Sequence, residues 1–148
     1  MSYKLDYKEP IPKVIERLRN EHKSIAPRLS QIKEEADSGN TAVAQSLLSS
    51  IKPELLRHIV EEEGRIVRIV MDEARQDSGP TVEITRYHRR VSEFLDLKLP
   101  RLLEMPKSRA RQEIGDFVVE LRKHQEAEER ECFPLALRAY ELQHAKTA

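Results

Sequence analysis

Apolar residues recur at every third and fourth position along most of the chain and rarely alternate, so the pattern predicts helices rather than strands. A first helix, from about Ile11 to Asp37, carries Val14, Ile15, Leu18, Ile25, Leu29 and Ile32 on one side, with His22 inside the apolar stripe. Ser38-Gly39-Asn40 ends it, Gly suiting a helix C-terminus and Asn40 or Thr41 the next N-cap. The second helix runs from about Thr41 into the low seventies, and its inward face reads Leu48, Ile51, Leu55, His58, Glu62, Ile66 and Ile69. Ser78-Gly79-Pro80 breaks the chain, and Ile84, His88, Val91 and Leu95 define a third helix to about Leu103, shortened or kinked by Pro100. After Met105-Pro106-Lys107, Ser108 is placed to cap a fourth helix that faces inward with Ile114, Phe117, Leu121, His124, Glu128 and Cys132. Pro27, Pro53 and Pro134 fall inside helices, where bends are expected. Four helices with short links suggest an all-α fold, an antiparallel up-down four-helix bundle over residues 11–148, preceded by an N-terminal arm at residues 1–10.

The two halves of the chain repeat. His22 and His58 are matched by His88 and His124 at an offset of 66 positions, and Glu62 and Glu128 obey the same offset. So do the apolar pairs Leu18 and Ile84, Ile25 and Val91, Leu29 and Leu95, Leu48 and Ile114, Ile51 and Phe117, and Leu55 and Leu121. The fold is therefore expected to be a duplicated helical hairpin.

Hairpin geometry turns this repeat into a site. Residues equidistant from a turn lie at one height, because both helices rise by about 1.5 Å per residue. The midpoint of His22 and His58 is position 40, and that of His88 and His124 is position 106, both in the proposed turns. The midpoint of His58 and His88 is position 73, less well placed against the break at 78–80. The i,i+4 spacing sets Glu62 beside His58 and Glu128 beside His124, one turn apart on the inward face. Six groups that would be costly to bury alone thus converge on one level.

Composition narrows the chemistry. Lys and Arg total 26 and Asp and Glu 26 in 148 residues, so no net field draws nucleic acid or an anionic membrane. No stretch approaches the roughly 20 apolar residues of a membrane span, and the start of the chain lacks a signal-peptide apolar core, so a cytoplasmic location is expected. The single cysteine, Cys132, excludes an internal disulfide and a thiolate-rich zinc site. Any metal must be held by nitrogen and oxygen. Four imidazoles and two carboxylates suit a borderline divalent ion better than Mg²⁺ or Ca²⁺, leaving iron, manganese and zinc, and six ligands exceed one tetrahedral zinc. Shared between two ions they give each two histidines, with Glu62 and Glu128 as bridges.

In this ordered set, a histidine on helix one, His58-x-x-x-Glu62 on helix two, His88 on helix three and His124-x-x-x-Glu128 on helix four, the chain resembles the hemerythrin-like family of HHE cation-binding domains. The likeness extends to the ending Cys132-Phe133-Pro134-Leu135 and covers about residues 11–140. It implies a left-handed bundle around two non-haem iron ions, with His22, His58, His88 and His124 as terminal ligands and Glu62 and Glu128 as bridges. Oxygen-carrying members have H-x-x-x-H on the third helix, whereas His88 has Ile84 and Ser92 at that spacing, which argues against simple reversible oxygen carriage.

The remaining polar residues have plainer readings. Glu61, Glu63, Glu126 and Glu129 form a solvated face, with Glu61 or Glu129 able to orient a ligand. Cys132, whose counterpart is Ile66, reads as a buried apolar thiol, His144 as surface, and Tyr87 as pointing away from His88. The leading expectation is a non-haem di-iron protein that binds or senses oxygen or a related small ligand such as nitric oxide or peroxide, or reports iron availability. Alternatives are a di-iron oxidoreductase acting on peroxide, nitric oxide or ferrous iron, and a metal-free helical interaction module. A sensor with no output domain in this sequence would need a separate protein partner.

Overall fold

The computed structural model describes residues 4–74 and 79–147. Among these residues the chain is all-helical, without strands, and is consistent with a four-helix bundle. Helix α1 spans Ile11–Asp37 and α2 spans Thr41–Glu61; α2 continues through a π-helical stretch, Glu62–Val67, into α3, Arg68–Ala74. Helix α4 spans Gly79–Glu104, and α5, Lys107–Ala127, passes through a second π-helical stretch, Glu128–Cys132, into α6, Phe133–Thr147. Helix α1 packs against α2 and α5, α4 against α2 and α5, and α3 against α6.

The first turn follows from its glycine. Gly39 has φ +85°, its N–H reaches the Ala36 carbonyl at 3.1 Å, and the Asn40 N–H reaches that of Glu35 at 2.8 Å. These two bonds satisfy carbonyls that the helix end would leave unpaired, and only glycine enters that left-handed conformation without strain. Asn40 stands at the N-cap of α2, but its side chain donates to Glu35 Oε2 at 2.9 Å instead of capping. The expected cap at Ser108 is corrected: Pro106 is the N-cap residue of α5, and its carbonyl accepts the N–H groups of Arg109 and Ala110, both at 3.0 Å. Proline's fixed φ starts the helix earlier than a serine cap would.

The helices run on through Pro27, Pro53 and Pro100. The irregular backbone lies instead in the two π-helical stretches, which begin at Glu62 and Glu128, again 66 positions apart. Of the expected break, Ser78 lies outside the described residues, while Gly79 and Pro80 open α4, where the missing proline N–H costs nothing.

Of the twelve apolar residues paired by the repeat, eleven are buried, and the side chain of Ile84 lies outside the described residues, as does that of Tyr87. The buried apolar residues form two clusters. One holds Ile25, Leu29, Leu55, Val91, Leu95, Phe117 and Leu121; the other holds Leu18, Ile66, Cys132 and Phe133. His22, Glu62 and Glu128 fall in sequence between members of the two clusters on their own helices, and all three are buried. A polar belt thus interrupts the core.

Candidate metal centre

Each histidine of the first hairpin is held by a carboxylate on its outer nitrogen. His22 Nδ1–H donates to Glu129 Oε1 at 3.1 Å, and His58 Nδ1–H donates to Glu21 Oε2 at 2.6 Å. This orients both rings so that each Nε2 faces inward, where it would offer its lone pair to a metal ion once the proton has left. The two Nε2 atoms stand 2.9 Å apart. Glu62 Oε1 is 3.8 Å from His22 Nε2 and in direct contact with His58 Nε2, and Glu128 Oε2 lies 3.4 and 3.9 Å from the two nitrogens. One donor atom from each of His22, His58, Glu62 and Glu128 lies within 4.8 Å of every other, and all four residues are buried.

Four electron-pair donors facing one another under cover from water repel unless positive charge sits among them. Glu62 Oε1, Glu128 Oε2 and His88 Nε2 are buried with no hydrogen bond of normal geometry, and leaving such an atom unpaired costs about 1–3 kcal/mol. The spacing fits a metal ion: bonds of about 2.1 Å at a right angle place two nitrogens ~3 Å apart. The group can hold a metal ion.

The ionisation of the group tells the same story. Burial alone would lower His22, but the facing Glu128 and Glu62 carboxylates outweigh it and raise it to about 9. Burial likewise opposes the charge of His58, yet the Glu62 charge and hydrogen bonds to Glu128, Glu21 and Glu62 raise it well above the usual imidazole range. Burial, then the facing Glu128 charge, push Glu62 up. Glu128 goes the other way: burial is overcome by the groups that face it, Glu62, His22 and His58, which hold it well below the usual carboxylate range. Without metal, protons supply the positive charge that the cluster demands.

His88 and His124 stand outside this four-residue group. His88 is buried, its ring hydrogen-bonded to the Ile59 backbone, and burial lowers its pKa, so it is a neutral imidazole. His124 is partly exposed, with Nε2 3.9 Å from Glu120 Oε1 and its ring edge-on to Phe94 at 5.4 Å. Burial keeps it neutral as well. Glu128 exerts its charge on both. A cavity of about 320 Å³ borders His88, Glu63, Val67, Met71 and Ser92.

Glu129 orients a histidine as the sequence suggested, whereas Glu61 does not: it pairs with Arg17, which also holds Glu9. Glu21 went unread as a partner of His58, although positions 21 and 58 sum to 79, close to the 80 of His22 and His58, which places them level. The buried Arg65 is a second surprise, its guanidinium donating to the carbonyls of Asp6 and Glu9 and tying the N-terminal arm over the π-helical stretch that carries Glu62. Cys132 is buried in the core with its counterpart Ile66, and burial pushes its thiol up to about 12, so it packs as an inert group. His144 is exposed beside Tyr140.

The chain matches no family model, no curated protein and no solved structure. Among the described residues no helix is long and apolar enough to cross a membrane. The functional reading therefore rests on the donor set itself.

Proposed function

We propose that this chain is a hemerythrin-like protein whose antiparallel up-down bundle holds two non-haem iron ions and uses them to bind or sense oxygen or a related small ligand, or to report iron availability. The observation that carries the reading is the convergence of His22 Nε2, His58 Nε2, Glu62 and Glu128 inside the core, all four buried, with Glu62 Oε1 and Glu128 Oε2 lacking a hydrogen bond of normal geometry. The near-right-angle spacing of the two nitrogens favours a six-coordinate ion such as iron or manganese over tetrahedral zinc. His22, His58, His88, His124, Glu62 and Glu128 would hold the ions. The bound irons supply the redox and ligand-binding chemistry. The protein's part is to fix imidazole tautomers through Glu21 and Glu129, to exclude bulk water with the two apolar clusters, and to leave His88 beside a cavity sized for a small molecule.

Metal analysis tests this directly. Protein loaded with ferrous iron under nitrogen should carry about two irons per chain and develop near-ultraviolet and visible charge-transfer bands on exposure to air. A colourless chain that rejects iron overturns the reading. The cavity beside His88 also favours a second reading, turnover of peroxide, nitric oxide or ferrous iron. Catalytic consumption of peroxide or nitric oxide, abolished by Glu62→Ala, would select it; stoichiometric binding without turnover selects the carrier or sensor.

A further inference from the structure

The repeat makes the two hairpins equal in sequence, yet the structure treats them differently. In the first, His22 and His58 already converge with both glutamates, and their outer nitrogens are clamped by Glu129 and Glu21. In the second, His88 is anchored to the Ile59 backbone with Nε2 buried and unpartnered. The His124 side chain, by contrast, is 20% exposed, its Nε2 3.9 Å from Glu120, one turn back along α5 from the direction of Glu128.

We propose that the two metal positions fill in a fixed order: the first ion binds at His22, His58, Glu62 and Glu128, and the second binds only after the His124 side chain turns from Glu120 to join His88. The inference rests on the dinuclear reading above and adds to it an order and a moving ligand.

Two physical effects set that order. The first position has its four donor atoms already together, whereas the second needs the His124 side chain to leave its place beside Glu120 and the edge of Phe94. Charge acts in the same direction, because a first dication neutralises the two carboxylates and a second arrives at a group with little net attraction left. The cavity bordered by His88, Glu63 and Met71 lies on the side of the second position.

Anaerobic calorimetric titration of the metal-free full chain with Co²⁺, followed in parallel by visible absorption, tests the order without reference to activity. Two steps are expected, with affinities about tenfold or more apart. His124→Ala, a change at a partly exposed position, should keep the tight equivalent and lose the weak one, while His58→Gln should lose the tight one. Should His58→Gln fail to fold by circular dichroism, Glu21→Gln serves in its place, because it weakens the tight step without removing a donor. Two ions entering in one transition of equal affinity overturn the inference while leaving the dinuclear reading intact. Loss of the tight step in His124→Ala, or a single equivalent that His124→Ala leaves unchanged, also overturns it. Failure to bind any divalent ion sinks the dinuclear reading itself.

Discussion

At the scale of single residues, the site depends on which nitrogen of each imidazole carries a proton. Glu21 and Glu129 settle that for His58 and His22, and such supporting carboxylates are typically worth about 10–100-fold in metal affinity. Glu21→Gln is therefore expected to weaken Co²⁺ binding by about that factor while leaving the helical content unchanged; an affinity equal to that of the unaltered protein would show that the contact is only structural. The raised pKa values set a pH dependence. His22 moves from an ordinary 6.5 to about 9 on folding, so its contribution to the stability of the metal-free protein is full below about pH 6.5 and is lost as the pH rises through 9. Metal binding must displace the same protons, so metal affinity should climb over that window as metal-free stability falls. Apparent dissociation constants for Co²⁺ at pH 6.5, 7.5 and 8.5 should improve by roughly tenfold per unit for each proton released; a flat profile would mean that the ion binds elsewhere. Part of this was legible in the sequence: His22, His58, Glu62 and Glu128, the four that converge, announce themselves as polar interruptions of apolar stripes. Glu21 did not, because it adjoins His22 in sequence and falls off the apolar stripe of α1, while its partner is a turn-related residue on another helix.

At the scale of elements, the helix boundaries were readable because glycine and proline act locally. Gly39 ends α1 through its positive φ, and a residue with a Cβ there pays about 1–2 kcal/mol for the left-handed conformation. Nothing lies within 4 Å of the added atom, so the cost of Gly39→Ala should be purely conformational. Urea denaturation of the metal-free protein should show a midpoint shift of that size with an unchanged slope. The π-helical stretches escaped the sequence reading for a different reason. A π-helical turn inserts one residue without disturbing the i,i+4 relation of His58 to Glu62 upstream, and the apolar positions that follow still read as helix. That both stretches begin at the bridging candidates, Glu62 and Glu128, agrees with the tendency of such turns to occur at functional sites. The tie from Arg65 to the arm was equally hidden, because it joins carbonyls of residues 6 and 9, which carry no side-chain signature.

At the scale of the whole molecule, the bundle is two apolar clusters with a polar belt between them, and the fold and the site oppose each other in the metal-free state. The clusters supply the stability: Leu29 is fully buried, and Leu29→Ala should cost about 2–5 kcal/mol with or without metal. The belt takes some of that stability back through its unpaired atoms, and a bound ion should return it. Binding that selects the folded state at a free metal concentration of a hundred times the dissociation constant adds about 2.7 kcal/mol, equivalent to roughly 5–10 °C in melting temperature for a chain of this size. The expected result is a concentration-dependent rise in Tm with Co²⁺ or anaerobic Fe²⁺ that a chelator reverses. Crossing the two variants separates scaffold from site. Leu29→Ala should lower both melting curves and preserve the metal-induced shift, whereas Glu62→Ala should abolish most of the shift, because it deletes one of the four converging donors and leaves the apolar clusters untouched. An undiminished shift in Glu62→Ala would place the stabilising ion outside the belt, and the convergence of His22, His58, Glu62 and Glu128 would then have to be explained by protons alone.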